Sequence, residues 1–153
     1  MKTNVVRLLE QAKISHSLHE YGSTITNGVE VAKALGEDVS CVFKTLVCVN
    51  ENKQHYVFCV PVADELDLKK AAKATSSKWI AMILQKELLP LTGYIHGGCS
   101  PIGMKKKFPT YIDQSAQSKN TIFISGGKIG LQVQVNPLDL AAYTNAIFID
   151  LKK

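Results

Sequence analysis

Short apolar segments with two different spacings alternate along the chain. Apolar residues recur at helical spacing over residues 4–13, which predicts an amphipathic helix, and an extended stretch follows at residues 16–21. Asn27 and Glu30 are spaced like a loose capping box, so a second helix is expected to begin there and to end at Gly36.

The middle of the chain combines β-branched runs with shorter helical patterns. Residues 42–49 and 56–61 are apolar and flank a polar turn, which predicts a β-hairpin. Residues 64–74 carry acids first and lysines later, the order that a helix dipole favours. Another helix is expected at residues 87–91, whereas residues 78–84 fit a strand or a helix equally well.

The last third of the chain is rich in strand patterns. Pro137 is expected at the first position of a helix that continues through residues 138–143. Strands and helices therefore interleave, which predicts an α/β fold with a mixed β-sheet flanked by helices. With no repeat or linker, residues 1–153 are expected to form a single domain. Further strands are predicted at residues 110–113, 121–125, 131–135 and 146–151.

Composition narrows the class of protein. The chain is 46% hydrophobic and 20% charged, as globular proteins are. No apolar run approaches the roughly 20 residues that a membrane span needs. The N-terminal residues become charged too early for a signal peptide. We therefore expect a cytoplasmic protein that does not enter a membrane.

The charge of the chain is positive and is supplied mainly by lysine. The net charge is +5, and Arg7 is the only arginine. The lysines cluster at residues 69–73 and 105–107. These clusters are either an ordinary solvated surface or a binding surface for an anionic partner, whose affinity would fall with salt.

Cysteine and histidine spacing gives no support for a metal site. The four cysteines include no Cys-x-x-Cys pair, and we expect them to be buried reduced thiols. Cys99 lies in a loop near His96, but no Asp or Asn is obviously placed to orient that histidine for catalysis. Neither a metal nor a cofactor is expected.

Lys44 is the most informative single residue. It interrupts an otherwise apolar strand and shares a face with Val42 and Leu46. Such a lysine either extends its amine to solvent at a sheet edge or points into a pocket. In a pocket it would stabilise developing negative charge or act as a base.

Two glycine-rich loops favour the pocket. Residues 96–103 and residues 125–130 each contain adjacent glycines, which allow successive backbone N–H groups to point at one anionic atom. Neither loop has the spacing of a phosphate-binding or dinucleotide-binding motif. The second loop also fits a plain hairpin turn.

Three motifs occur in a characteristic order. They are Lys44-Thr45 in the apolar strand, Gly-Tyr-Ile-His-Gly-Gly-Cys-Ser-Pro-Ile-Gly at 93–103, and Ser-Gly-Gly-Lys-Ile-Gly at 125–130 followed by Asn-Pro-Leu-Asp-Leu at 136–140. Together they resemble the YbaK family of aminoacyl-tRNA editing domains, most closely its bacterial free-standing Cys-tRNA(Pro) deacylases. The resemblance covers nearly the whole chain.

The resemblance implies a fold and a set of site residues. The fold would be a mixed, partly closed β-sheet surrounded by helices, with Lys44 as the key residue of the editing pocket. Ile129 and Gln132 depart from the arginine and aspartate that relatives carry, which affects expected RNA contacts and specificity. The residues expected to bind the aminoacyl end or terminal adenosine are Tyr21, Thr45, Gly97, Gly98, Ser100, Ser125, Gly126 and Gly127.

The resemblance also implies a reaction and partners. The expected activity is removal of mischarged cysteine from the 3′ end of tRNA(Pro), with the substrate thiol attacking its own ester. Lys44 would orient the substrate, and the N–H groups of Gly126 and Gly127 would serve as oxyanion donors. The resemblance also implies prolyl-tRNA synthetase as a partner. A deacylase for another amino acid, such as alanine, and a non-catalytic tRNA-binding module remain the alternatives.

Overall fold

Helices and strands alternate through the part of the chain that the computed structural model describes, residues 2–153. The helices are α1 (Asn4–Gln11), α2 (Gly28–Leu35), α3 (Leu68–Ala74), α4 (Gln85–Thr92) and α5 (Pro137–Thr144). The strands are β1 (His16–Glu20), β2 (Phe43–Asn50), β3 (His55–Pro61), β4 (Ile80–Met82), β5 (Thr110–Asp113), β6 (Ile122–Ser125), β7 (Leu131–Val135) and β8 (Ile147–Ile149).

The strands form two sheets that meet at one point. The smaller sheet is antiparallel, in the order β1-β7-β6. The larger sheet has the order β4-β2-β3-β5-β8 and is mixed, because β3, β5 and β8 run parallel while β2 is antiparallel to both of its neighbours. A parallel bridge between Val42 and Phe123 joins the sheets. The predicted mixed α/β architecture is confirmed, with the sheet divided in two at this seam.

Most helices begin or end at residues that cap them. The Asn27 side chain accepts the backbone N–H groups of Val29 and Glu30, and α2 ends at Gly36 in the left-handed conformation, as predicted. The helix predicted for residues 64–74 is wrong at its N-terminal end. It begins at Leu68, because Asp67 is the residue that caps it.

The undecided run at residues 78–84 forms a strand. Within it, β4 pairs with the end of β2, where Cys48 lies opposite Met82. The segment is short and sits at the edge of the larger sheet, which is why its apolar residues show neither a strand nor a helix period clearly.

The buried core lies on both faces of the larger sheet. The largest cluster packs Val5 and Leu9 of α1 against β3 of the larger sheet and against β6 and β7 of the smaller sheet. A second cluster, around Phe58, lies under α3 on the opposite face. A third cluster holds α2 over the seam through Ala32, Val42 and Phe123, which places the start of α2 beside the first residues of β2.

The cysteines are free thiols in two environments. Cys48 and Cys59 are buried, whereas Cys41 and Cys99 are partly exposed. In the described part of the chain, no group of three His, Cys, Asp or Glu side chains is placed to hold a metal ion. Within residues 2–153, no helix is long and apolar enough to cross a membrane.

Candidate active site

A cavity of about 290 Å³ opens at the seam between the two sheets. Its walls come from the first residues of β2, the start of α2, the loop after α4, and the adjoining ends of β6 and β7. Residues far apart in the chain therefore meet in one place because the two sheets join there. The polar side chains that line the cavity are Tyr21, Thr26, Asn27, Lys44, Thr45, His96, Ser125 and Gln132.

Lys44 lines this cavity, which favours the pocket over the sheet edge. Its strand pairs with β3 at Lys44, while the pairing with β4 is confined to residues 48–50, and Val42 bridges to Phe123 of the smaller sheet two residues before Lys44. Lys44 forms no ion pair within residues 2–153. Its charge contributes to lowering the pKa of Glu65, but Lys153 contributes more and lies 3.0 Å from that carboxylate. The Lys44 ammonium is therefore available to a ligand in the cavity.

The two glycine-rich loops pack against each other. A Cβ atom on Gly98 would lie 3.1 Å from backbone atoms of Lys128 and Ile129 in the second loop. A Cβ atom on Gly97 would lie 3.0 Å from Thr26, just before α2. The second loop connects β6 to β7, as its interpretation as a hairpin turn predicts, and of its residues only Ser125 lines the cavity.

Substitution Gly98→Ala is expected to destabilise the fold by about 1–3 kcal/mol, because the added methyl group would meet backbone that cannot rotate away. The measurement is urea-induced unfolding at equilibrium. Gly22→Ala is the matched control: its Cβ would lie 3.4 Å from the flexible end of Ile25, an ordinary contact. An unchanged free energy of unfolding in Gly98→Ala would contradict the close approach of the two loops.

The structure brings some of the predicted site residues to the cavity and not others. Gly98, Gly126 and Gly127 do not line it, and neither does Ser100, which is fully buried and accepts the backbone N–H of Ile102. The predicted residues that line the cavity are Tyr21, Lys44, Thr45, Gly97 and Ser125.

The backbone N–H groups of the second loop that were predicted as oxyanion donors already donate hydrogen bonds within the protein. The Gly126 N–H donates to the Leu131 carbonyl at 2.8 Å, and the Gly127 N–H donates to Ser125 Oγ at 3.1 Å. The expectation that these two N–H groups are free is therefore wrong for this structure. Because Ser125 Oγ acts as an acceptor inside the loop, its own O–H remains to donate into the cavity.

Two residues that line the cavity each carry a buried polar atom without a hydrogen-bond partner among the described residues. The two atoms are Tyr21 Oη and Gln132 Oε1. Gln132 is 6% exposed in the middle strand of the smaller sheet. Leaving a buried polar atom unpaired costs about 1–3 kcal/mol, so both atoms favour a ligand that supplies donors. In the sequence, Gln132 stands out only as a glutamine between two apolar residues of a predicted strand.

The start of α2 was not predicted as part of the site. Thr26, Asn27 and Gly28 line the cavity, and the positive end of the helix dipole is directed there. Gly28 is needed for close packing, since a Cβ atom would lie 2.5 Å from Val62 Cγ1. The Asn27 cap was visible in the sequence, but its position beside Lys44 depends on tertiary packing.

Cys99 and His96 both line the cavity without forming a hydrogen bond to each other in the described structure. Burial, and to a smaller extent the nearby Cys59, raise the pKa of the Cys99 thiol to about 12. A thiol with this pKa is protonated at neutral pH, whereas a cysteine nucleophile must be a thiolate. The cavity thus offers an unpaired ammonium and hydrogen-bonding groups, but no activated cysteine.

The mixed α/β fold thus places one lysine and several hydrogen-bonding groups in a cavity at the seam of two sheets. The model of the aminoacyl-tRNA editing domain matches residues 23–143. The chain belongs to this family, which confirms the family resemblance and the expectation of an aminoacyl-tRNA deacylase.

Individual relatives agree with this assignment. A protein of Enterococcus faecalis named as a candidate Cys-tRNA(Pro)/Cys-tRNA(Cys) deacylase, EbsC, is 41% identical, with 98% of this chain and 93% of that protein aligned. A proline–tRNA ligase of Shouchella clausii is 31% identical over 71% of this chain, but only 19% of the ligase is covered. The crystal structure of a candidate trans-editing enzyme for prolyl-tRNA synthetase has 27% identity and a TM-score of 0.86, covering 100% of this chain and 99% of that one.

Proposed function

We propose that the chain is a trans-editing deacylase that removes mischarged cysteine from tRNA(Pro). The observation that carries the proposal is Lys44, an ammonium without an ion-pair partner in residues 2–153, inside a cavity that lacks a thiolate. The name of the Enterococcus relative supports cysteine as the amino acid, and the family supports an aminoacyl-tRNA ester as the bond that is cleaved.

The size of the cavity suits an aminoacyl group. Its volume of about 290 Å³ is at the lower limit of pockets that hold drug-sized ligands. The α-ammonium group of the amino acid would donate hydrogen bonds to Gln132 Oε1 and Tyr21 Oη, the two buried oxygens without partners in the described structure. The ester carbonyl would then face Lys44, with the hydroxyl groups of Thr45 and Ser125 as further donors.

Cysteine brings its own nucleophile to this site. The substrate sulfur attacks the ester carbonyl carbon, a C–S bond forms, and the bond from that carbon to the ribose oxygen breaks. The thiol proton passes to the ribose oxygen, which leaves as the hydroxyl of the tRNA, and the resulting thiolactone is hydrolysed in water. The protein needs only to hold the reacting atoms in contact and to stabilise the negative charge that develops. Lys44 supplies that stabilisation.

This chemistry also explains how correctly charged prolyl-tRNA would be spared. Binding to a pocket separates similar small side chains by only about 1–3 kcal/mol. A requirement for a thiol excludes proline by chemistry, because its ring carries no thiol and its amine cannot attack its own ester without forming a three-membered ring. Selectivity therefore does not depend on shape alone.

Cys99→Ala is expected to keep most of the deacylase activity, within about threefold of the native chain, since a thiol whose pKa is about 12 does not act as the nucleophile. The measurement is the rate of cysteine release from tRNA(Pro) under single-turnover conditions. A loss of two orders of magnitude in a variant that unfolds at the native urea concentration would instead assign the nucleophile to Cys99.

Prolyl-tRNA synthetase is the partner we propose. A segment of the Shouchella protein named proline–tRNA ligase resembles this chain, so a domain of this kind occurs within that protein. A free-standing domain of this kind would benefit from binding to the synthetase, because it would meet mischarged tRNA as the synthetase releases it.

The proposal is tested with a panel of charged tRNAs. Cysteine, alanine and proline are each attached to tRNA(Pro), and cysteine is attached to tRNA(Cys), since the name of the Enterococcus relative includes both tRNAs. We expect release of cysteine from tRNA(Pro) and none of proline. Release of alanine alone would assign a different editing target, and salt-sensitive binding without any release would make the chain a tRNA-binding module.

A further inference from the structure

A second cavity, of about 480 Å³, lies outside the site already described. It is formed by α1, the segment that follows the first glycine-rich loop, and the C-terminal end of α5. We call it the α1–α5 cavity, and its lining includes Asn4, Lys106, Lys107, Phe108, Tyr143 and Asn145. None of these groups takes part in the chemistry proposed for Lys44.

The α1–α5 cavity carries positive charge that the described residues do not neutralise. Lys106 and Lys107 line it and are exposed, and Lys105 precedes them. The Arg7 guanidinium lies beside it, donating to Asn4 Oδ1 at 3.3 Å. Within residues 2–153, Lys106, Lys107 and Arg7 form no ion pair, and no carboxylate lines the cavity, whereas the Lys105 side chain lies against Gly93. The chemistry of this cavity therefore fits an anion.

Aromatic and amide side chains give the α1–α5 cavity contacts suited to nucleobases, which a patch of basic residues alone does not offer. The Tyr143 ring is 38% exposed at the end of α5. Phe108 is partly buried and is supported by the His55 ring, with centroids 5.4 Å apart. Aromatic faces stack on nucleobases, while lysines follow the phosphates of a single strand. Asn4 and Asn145 offer both donors and acceptors to base edges.

The two cavities share one loop as a wall. Cys99 lines the Lys44 cavity, and Pro101 lines the α1–α5 cavity. Two residues of chain span at most about 7 Å, so the walls of the two cavities are close together. An RNA strand that passes over this loop would contact both cavities.

We propose that the α1–α5 cavity binds single-stranded RNA, stacking a base on Tyr143 and pairing phosphates with Lys106 and Lys107. The nucleotides bound there are those next to the terminal adenosine of the tRNA. This inference rests on the proposed function, which places the aminoacyl end of the same RNA at Lys44. The binding itself is measurable without any deacylation.

The first test measures RNA binding by fluorescence anisotropy with a labelled single-stranded RNA hexanucleotide. The double variant K106Q/K107Q is compared with K69Q/K73Q, which removes the same charge from exposed lysines of α3. We expect K106Q/K107Q to weaken binding and to reduce the slope of log K against log salt by about 1.4, or about 0.7 for each phosphate that is no longer neutralised. K69Q/K73Q is expected to retain the native slope.

The second variant tests the stacking base. Tyr143→Ala is expected to weaken RNA binding by about tenfold with an unchanged salt slope, because the ring that stacks on a base is removed while every cation stays in place. Tyr143→Trp is expected to retain the native affinity. Circular dichroism of each variant verifies that the fold is intact.

Three results would overturn the inference: no binding of the hexanucleotide by the native chain, equal weakening in the two double variants, or native affinity in K106Q/K107Q. The binding measurement keeps this test separate from the proposed function, because it requires no deacylation. If the native chain binds this RNA through Lys106 and Lys107 but releases no amino acid from any charged tRNA, the proposed function fails and the RNA site stands.

Discussion

Replacing Lys44 by alanine is expected to lower the rate of cysteine release from tRNA(Pro) by at least about 10²–10³, the effect of removing one preorganised donor from developing negative charge. The ammonium lies in a partly enclosed cavity without an ion-pair partner in the described structure, so its field acts on the ligand. Because Lys44 makes no ion pair or side-chain hydrogen bond there, the free energy of unfolding is expected to change by less than about 1 kcal/mol.

Two further variants separate charge from shape at this position. Lys44→Met keeps an unbranched apolar side chain without the charge and is expected to be as slow as Lys44→Ala. Lys44→Arg keeps the charge on a bulkier planar group and is expected to retain part of the activity. The measurement is single-turnover release with urea unfolding of each variant. A folded Lys44→Ala protein with native activity would contradict the assignment of the active site to the cavity around Lys44.

Serine attached to tRNA(Pro) is expected to survive prolonged exposure to the protein, with a release rate close to that in buffer alone. Serine differs from cysteine only in carrying a hydroxyl in place of the thiol. A hydroxyl has no accessible anion at neutral pH, whereas a free cysteine thiol has a pKa near 8.5. The intramolecular attack, whose proximity advantage reaches effective molarities of about 10⁵–10⁸ M, is therefore lost.

The matched control for this prediction keeps the sulfur and removes its reactivity. Cysteinyl-tRNA(Pro) methylated on sulfur is expected to be as stable as the serine ester, although its side chain is larger and remains apolar. Release of serine or S-methylcysteine at the rate of cysteine would show that water attacks the ester, and the substrate-thiol mechanism would be abandoned.

Local patterns predicted most of the elements, because helices and hairpins depend on neighbouring residues. The Asn27 cap, the left-handed Gly36 and the first position of α5 at Pro137 were all visible in this way. The pairing of strands was not predictable to the same extent. β1 joins β7, with His16 opposite Val135, a pairing that no local period encodes. The start of α3 was misplaced because several acids precede it and any of them fits a helix cap.

The sequence allowed the position of Lys44 in a cavity to be predicted, but not the hydrogen bonding of the residues around it. Lys44 stands out in a sequence because a charge interrupts an apolar strand. Gln132 was noted only as a departure from relatives, since an amide in a strand does not reveal whether its oxygen finds a partner. The free N–H groups assigned to Gly126 and Gly127 depended on backbone direction, and the loop directs them to Leu131 and Ser125 instead.

The role of Gly98 also required the structure. Adjacent glycines are compatible with anion binding and with close packing, and composition does not distinguish the two. In the structure, Gly98 faces the backbone of Lys128 and Ile129, so the packing of the two loops accounts for the absence of a side chain there. Gly97, by contrast, lies at the cavity itself.

The central claim is that the cavity around Lys44 holds the aminoacyl end of a tRNA, and the most direct test is an NMR titration of the labelled protein. The ligand is adenosine carrying cysteine through a 3′ amide, which is not cleaved. The expected result is saturable shifts of the amide signals of Lys44, Thr45, Gly97 and Ser125, with a much smaller response in Lys44→Ala. Shifts confined to residues away from this cavity, or none at saturating ligand, would contradict the claim.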